Sequence, residues 1–336
     1  MKKRKIILLL IGLSLLATLT SCKGSTENSV SSEIQESSVV SQTEQSSELS
    51  VDVSEESVTE ISVDESSVEV SEISENYSTL IATPLEDFLY DIVNDDTAEN
   101  GKAVRLLRYK YEGDRQNIVI PVTASIDGQT YKTKLGDGVF LEKNIVSLTI
   151  PDEADFTEIP KNFCRDCKEL VEVNLPSKIT TVGEEAFSGC TKLNWTALPT
   201  YIKNIGDSAF ASTSLTGKLV ITEDMTITDY SFNACDFTEV VIEKQLTEIP
   251  YGLFQENFHL KSVVLPETLT TIHKWAFERT SIENITIPKS VTFMEDKIIT
   301  TEGTHNTKYT GVMSGYRGTE AERYAEKYNV IFAPLD

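Results

Sequence analysis

Histidine is scarce in this sequence: three residues, His259, His273 and His305, among 336. No two of them share metal-ligand spacing within one element, so no metal site is expected and all three read as surface residues. Positive charge is also short, with 30 Lys and Arg against 53 Asp and Glu and a net charge of −23. That balance excludes a general nucleic-acid binder, which needs a basic face to neutralise phosphates. It also argues against a protein held on anionic lipid by charge. The one extended apolar run, Ile6 to Leu19, has 14 residues and is too short for a stable spanning helix. A phosphate-cradling loop is missing, because Gly136-Asp137-Gly138 is short and lacks a following Lys-Ser/Thr. There is no G-x-S-x-G elbow. Carboxylates such as Glu184-Glu185 are too abundant for any one pair to stand out as acid and base. No catalytic constellation and no cofactor follow.

The charge is unevenly spread. Lys2, Lys3, Arg4 and Lys5 precede the apolar run, the layout of a secretory signal over 1–21. The run ends in Leu19-Thr20-Ser21-Cys22, which resembles the bacterial lipobox; that resemblance implies an acylated Cys22 as the mature N-terminus. The simpler alternative is an ordinary secretory signal with an incidental cysteine. Residues 24–77 hold 14 acidic residues, 17 serines and no Lys or Arg. Such a chain buries too little apolar surface to offset its ordering entropy, so 22–77 reads as a disordered, self-repelling tether. It would serve as a stalk or, alternatively, as a tail for basic partners. Residues 78–336 then carry about −14, far less densely.

From 138 the sequence repeats. Phenylalanine recurs at Phe140, Phe163, Phe187, Phe210, Phe232, Phe254 and Phe277, with gaps of 23, 24, 23, 22, 22 and 23. A fixed period in this range marks stacked repeats. An aliphatic-Pro step keeps phase at Ile150-Pro151, Leu175-Pro176, Leu198-Pro199, Leu265-Pro266 and Ile287-Pro288. Ile221-Thr222 and Ile242-Glu243 hold that phase without proline. Lone aliphatics follow at Ile159, Val182, Ile205, Ile227, Ile249 and Ile272. The clearest unit, Phe254 to Phe277, reads FQENFHLKSVVLPETLTTIHKWAF. Leu260, Val263 and Leu265 suit a short strand that Pro266 ends, and Thr270-Thr271-Ile272 suits a second. Lys274 to Phe277 suits a helical or irregular turn that drops its Phe inward. One unit cannot bury its own core; stacking at rungs about 4.8 Å apart can.

The string LxxVxLPxxLTxIxxxAF resembles the BspA-like leucine-rich repeats of bacterial surface proteins. The resemblance covers about 138–297 in some seven units. It implies an α/β repeat solenoid, a right-handed superhelix with a parallel sheet face, short second strands and helical turns. Residues 78–137 resemble the family's N-terminal lead-in, a cap. Residues 298–336 read as a loop followed by a helix-strand cap, and 294–314 fits no repeat. Cys164-Arg165-Asp166-Cys167 is a lone C-x-x-C, lacking the second pair of a zinc site and a thioredoxin-like context. Cys167, Cys190 and Cys235 each follow a ladder Phe by three or four residues, where a small buried side chain suits a tight turn. Rung spacing would permit a Cys167–Cys190 disulfide.

With strands in register, two outward columns can be read. One is Ser147, Glu172, Trp195, Lys218, Glu239, Ser262, Asn284; the other is Thr149, Asn174, Ala197, Val220, Val241, Val264, Thr286. Ala197, Val220, Val241 and Val264 form an apolar stripe beside Trp195 and Lys218, a candidate binding face. Strand propensity alone also explains exposed valines. The expected function is a non-catalytic, lipid-anchored protein on the outer face of the bacterial membrane. It would bind an extracellular protein or glycan, in the adhesion role that the resemblance implies, and no nucleic acid. The alternatives are an accessory module of an extracellular hydrolase system and a structural envelope lipoprotein.

Overall fold

A computed structural model describes residues 81–243, 245–301 and 309–336. All lie in the second of two units into which the chain divides, which begins at Ile73. The signal segment, Cys22, the tether and His305 lie outside the described residues.

Proline sets the length of the first strand in four of the coils. Where an aliphatic-Pro step follows, the strands Ser147–Thr149, Glu172–Asn174, Ser262–Val264 and Asn284–Thr286 have three residues each. Proline lacks the N–H that would continue the ladder. Without proline, Thr216–Ile221 has six residues and Asp236–Ile242 seven, and both include the aliphatic residue itself. These strands pair in parallel, as Ser147 with Glu172 and as Val220 with Val241 with Val264. Asn117–Val119 precedes Ser147–Thr149 on the same sheet, and Val312–Gly315 and Ile331–Pro334 follow Asn284–Thr286. On the second face, two-residue strands stack Ile159, Val182, Ile205 and Ile227, then Ile249, Ile272 and Met294.

The expected helical turns are not helical. Among the described residues the helices are one short 3-10 turn, Leu85–Asp87, and one α-helix, Glu320–Tyr328. The α/β description therefore gives way to a parallel-strand β-solenoid of stacked coils. The cause lies on either side of the phenylalanine. Tyr230 (φ 55°) and Ala234 (φ 52°) flank Phe232, and Ser208 (φ 53°) and Ser212 (φ 57°) flank Phe210. A left-handed residue every four positions cannot propagate a right-handed helix. The arc's N–H groups bond to the next coil instead, Phe187 N to Ala209 O at 2.9 Å and Gly189 N to Ala211 O at 2.8 Å.

All seven phenylalanines are buried, and five of them stack as a column of near-parallel rings. Phe187, Phe210, Phe232, Phe254 and Phe277 lie 5.7–6.2 Å apart at 4–14°. Phe163 is out of phase by one residue. Phe140 N bonds Phe163 O and Cys164 N bonds Ala186 O, which puts Cys164 in register with Phe140 and Phe187. The left-handed pair Asn162 and Asp166 brackets Cys164 in the same way. The coil thus reads Phe163-Cys164 where its neighbours read Val139-Phe140 and Ala186-Phe187, and all six side chains are buried. Large and small have changed places, and Phe163 meets Phe140 edge-on at 5.3 Å and 90°.

Residues 294–301 are not a loop. Phe293–Met294 pairs with Thr271–Ile272, and Ile299–Thr301 pairs with Phe277–Thr280. Both ends of the core are covered. At the N-terminal end a four-stranded sheet, in the order Phe88–Asn94, Lys102–Tyr109, Gln129–Leu135, Thr123–Ile126, sets Phe88 and Tyr109 against Phe140. At the other end the helix buries Ala321, Tyr324 and Ala325.

Candidate functional site

The outward face of the first sheet is narrower than its sequence columns imply. Residues 194–198 form no strand. Trp195 does not stand outward: its indole lies 6.2 Å from Phe187 and 6.0 Å from Phe210, packed on the core. Its carbonyl accepts the Thr216 N–H at 3.1 Å, so the backbone keeps contact with the next coil's strand. Ala197 is exposed but belongs to no ladder. An indole beside two stacked phenyl rings gains more by joining them than by facing water.

Three members of the stripe remain. Val220, Val241 and Val264 occupy one register position on three hydrogen-bonded strands. Val220 and Val241 are half-buried, and Val264 is 55% exposed. Two residues upstream in each strand stand Lys218, Glu239 and Ser262. Lys218 Nζ lies 2.8 Å from Glu239 Oε1, so its charge is engaged by the neighbouring rung. Exposed pairs of this kind are worth about 0–1 kcal/mol. Lys161–Glu184 and Lys192–Glu169 repeat the arrangement between other coils. Beyond the valines, a cavity of about 530 Å³ is lined by Ser281, Glu283, Asn284 and Thr310. The face offers an apolar strip edged by polar groups.

The cysteines do structural work. Cys164, Cys167, Cys190 and Cys235 are all buried free thiols, so the Cys167–Cys190 bridge is not formed. Cys167 Sγ donates to Phe140 O at 2.9 Å, Cys190 Sγ to Cys164 O at 3.0 Å and Cys235 Sγ to Phe210 O at 3.3 Å. Asn257 takes the same place in its coil and donates to Phe232 O at 2.8 Å. A small donor at this point gives a buried carbonyl of the coil before a second hydrogen bond, beside the one Phe140 O accepts from Lys143 N and Cys164 O from Cys167 N. Burial pushes the Cys164 and Cys190 thiols well up, and that of Cys235 to about 12, which keeps them from being nucleophiles. Among the described residues no three His, Cys, Asp or Glu side chains are grouped to hold a metal ion. His259 is exposed and pairs with Asp236 at 3.0 Å, whereas His273 is only 20% exposed and departs from the surface reading. Among the described residues no helix is long and apolar enough to cross a membrane.

The sequence matches the family model described as BspA-type leucine-rich repeat region in six copies, over residues 133–255 and 225–304. A comparison with curated proteins finds no match. Among solved structures, a leucine-rich repeat protein from Bacteroides ovatus is similar at 22% identity and a TM-score of 0.53. The match covers 69% of this chain and 66% of that one, and shows the shared fold. The leucine-rich repeat protein of T. pallidum matches at 20% identity and a TM-score of 0.44, over 63% of this chain and 86% of that one. A leucine-rich cell surface protein from Faecalibacterium prausnitzii matches at 20% identity and a TM-score of 0.36, over 67% and 52%.

Proposed function

This chain belongs to the BspA-type leucine-rich repeat family, and on that premise we propose a non-catalytic, lipid-anchored binding protein on the outer face of the bacterial cell membrane. The observation that carries the binding role is the outward three-rung stripe of half-buried Val220 and Val241 and exposed Val264. An apolar strip on a regular, rigid sheet loses little conformational entropy when a flat partner covers it. The partner is an extracellular protein or glycan surface. The anchor rests on the lipobox-like Leu19-Thr20-Ser21-Cys22 behind a basic, apolar leader. The acidic segment that follows would hold the repeat unit off an anionic surface.

Capture from host-matrix and envelope fractions tests the binding role. Val241→Ser with Val264→Ser should lose most of the captured material while the melting temperature stays within a few degrees. Equal capture by both forms would remove the stripe from consideration. Labelling with a fatty-acid analogue tests the anchor, because Cys22→Ala should abolish incorporation.

A further inference from the structure

His273 is held between carboxylates of both neighbouring coils. Its ring stacks on Tyr251 at 4.5 Å and 24°. Nδ1 lies 3.1 Å from Glu295 Oε1, and Nε2 lies 3.3 Å from Glu248 Oε2. Glu248 and Tyr251 belong to the coil before, Glu295 to the coil after. Glu295 has two further donors, the Tyr251 hydroxyl at 2.7 Å and the Lys274 N–H at 3.2 Å. Glu248 is 61% exposed and has no other side-chain partner among the described residues. Glu248, Glu295 and Tyr251 are the titratable groups that face the ring. The Lys274 ammonium is turned to Trp275, 4.4 Å from its ring centre, and Asp229 accepts the Tyr251 N–H.

A neutral imidazole carries one N–H and can donate to one carboxylate; only the imidazolium donates to both. We propose that protonated His273 is a clasp across three successive coils, closed in mildly acidic surroundings and released on the Glu248 side when the ring loses its proton. The side of release follows from the partner count. Glu295 is kept in place by Tyr251 and Lys274, so the neutral ring retains its hydrogen on Nδ1 toward Glu295. Glu248 turns to solvent. The clasp sits just before the C-terminal cap, where Ile298 N donates to the Tyr324 hydroxyl at 3.2 Å and Lys327 pairs with Asp296 at 2.9 Å. Its release loosens this coil from the coil before, on the side away from the cap, where the Tyr251–Glu295 bond remains.

The sign follows from the surroundings of the ring. Partial burial disfavours its charge, but the carboxylates of Glu295 and Glu248 outweigh burial and hold His273 above its ordinary 6.5. A raised folded value means a contribution complete below 6.5 and lost as pH rises through the folded value. Each unit of elevation is worth about tenfold in the closed-to-open ratio.

The test is an NMR titration of the full chain from mildly acidic to mildly basic pH, with His273 assigned by His273→Gln. Amide exchange at Thr271 and His273, which bond Thr247 O and Ile249 O in the coil that carries Glu248, is followed over the same range. The ring should titrate above 6.5. Exchange, corrected for its intrinsic pH dependence, should accelerate several-fold as the ring deprotonates. Glu248→Gln should lower the midpoint and flatten that acceleration. A midpoint at or below the ordinary value overturns the proposal, and so does identical pH dependence in Glu248→Gln. If His273→Gln fails to fold, Glu248→Gln decides alone.

Discussion

The indole of Trp195 lies 6.0 Å from the ring of Phe210 and closes the edge of the aromatic column. Trp195→Ser should therefore cost stability, about 3 kcal/mol on the scale of large-to-small core substitutions. Thermal unfolding would show it as a clear drop in melting temperature, and native tryptophan emission would lose its buried component. A variant that melts like the parent would return the indole to the surface.

The exchange of large and small at Phe163-Cys164 makes a second prediction. Phe232→Ala, in the middle of the near-parallel stack, should cost about 3–5 kcal/mol. Phe163→Ala alone should cost a similar amount, and Cys164→Phe alone should overpack the arc by about 1–3 kcal/mol. The double variant Phe163→Ala with Cys164→Phe recreates the Ala186-Phe187 pattern, so it should be more stable than the two single losses added together. Denaturant titration of the four proteins measures that coupling, and strict additivity would contradict the register described above.

Cys167 makes a third. Its thiol donates to Phe140 O in a buried site, so Cys167→Ser should be tolerated, because a hydroxyl can donate there. Cys167→Ala should cost about 0.5–1.5 kcal/mol, because the carbonyl loses its second donor but keeps the Lys143 N–H at 3.0 Å. Thiol labelling of the folded protein should find Cys164, Cys167, Cys190 and Cys235 unreactive and should find them reactive after denaturation. Rapid labelling of any of the four without unfolding would contradict their burial.

The period was legible because each coil must present the same side chains to its neighbours. Seven phenylalanines at gaps of 22–24 residues announced a stack, and the aliphatic-Pro steps placed the ends of the first strands. The register read from those steps pairs Val220 with Val241 and Val264, as the hydrogen bonds do. The segment 294–301 was less legible because Met294 and Ile299 hold the phase of Ile272 and Phe277 with different side chains. His273 looked like any surface histidine because its partners Glu248 and Glu295 are 25 and 22 residues away. One coil's separation looks like distance in a chain and is contact in a solenoid.

The sequence by itself determined a stacked, non-helical-bundle architecture and the burial of the phenylalanines. Both follow from periodicity, which acts on every coil alike. Only the tertiary structure decided what the arcs and individual side chains do. Left-handed residues around each phenylalanine made turns where helical ones were expected, because the arc's N–H groups find their acceptors in the next coil. The same contact between coils drew Trp195 into the core, put Cys164 in a phenylalanine's register and set His273 between two carboxylates. A repeat prescribes the average coil; the departures are settled by the space and the partners that its neighbours leave.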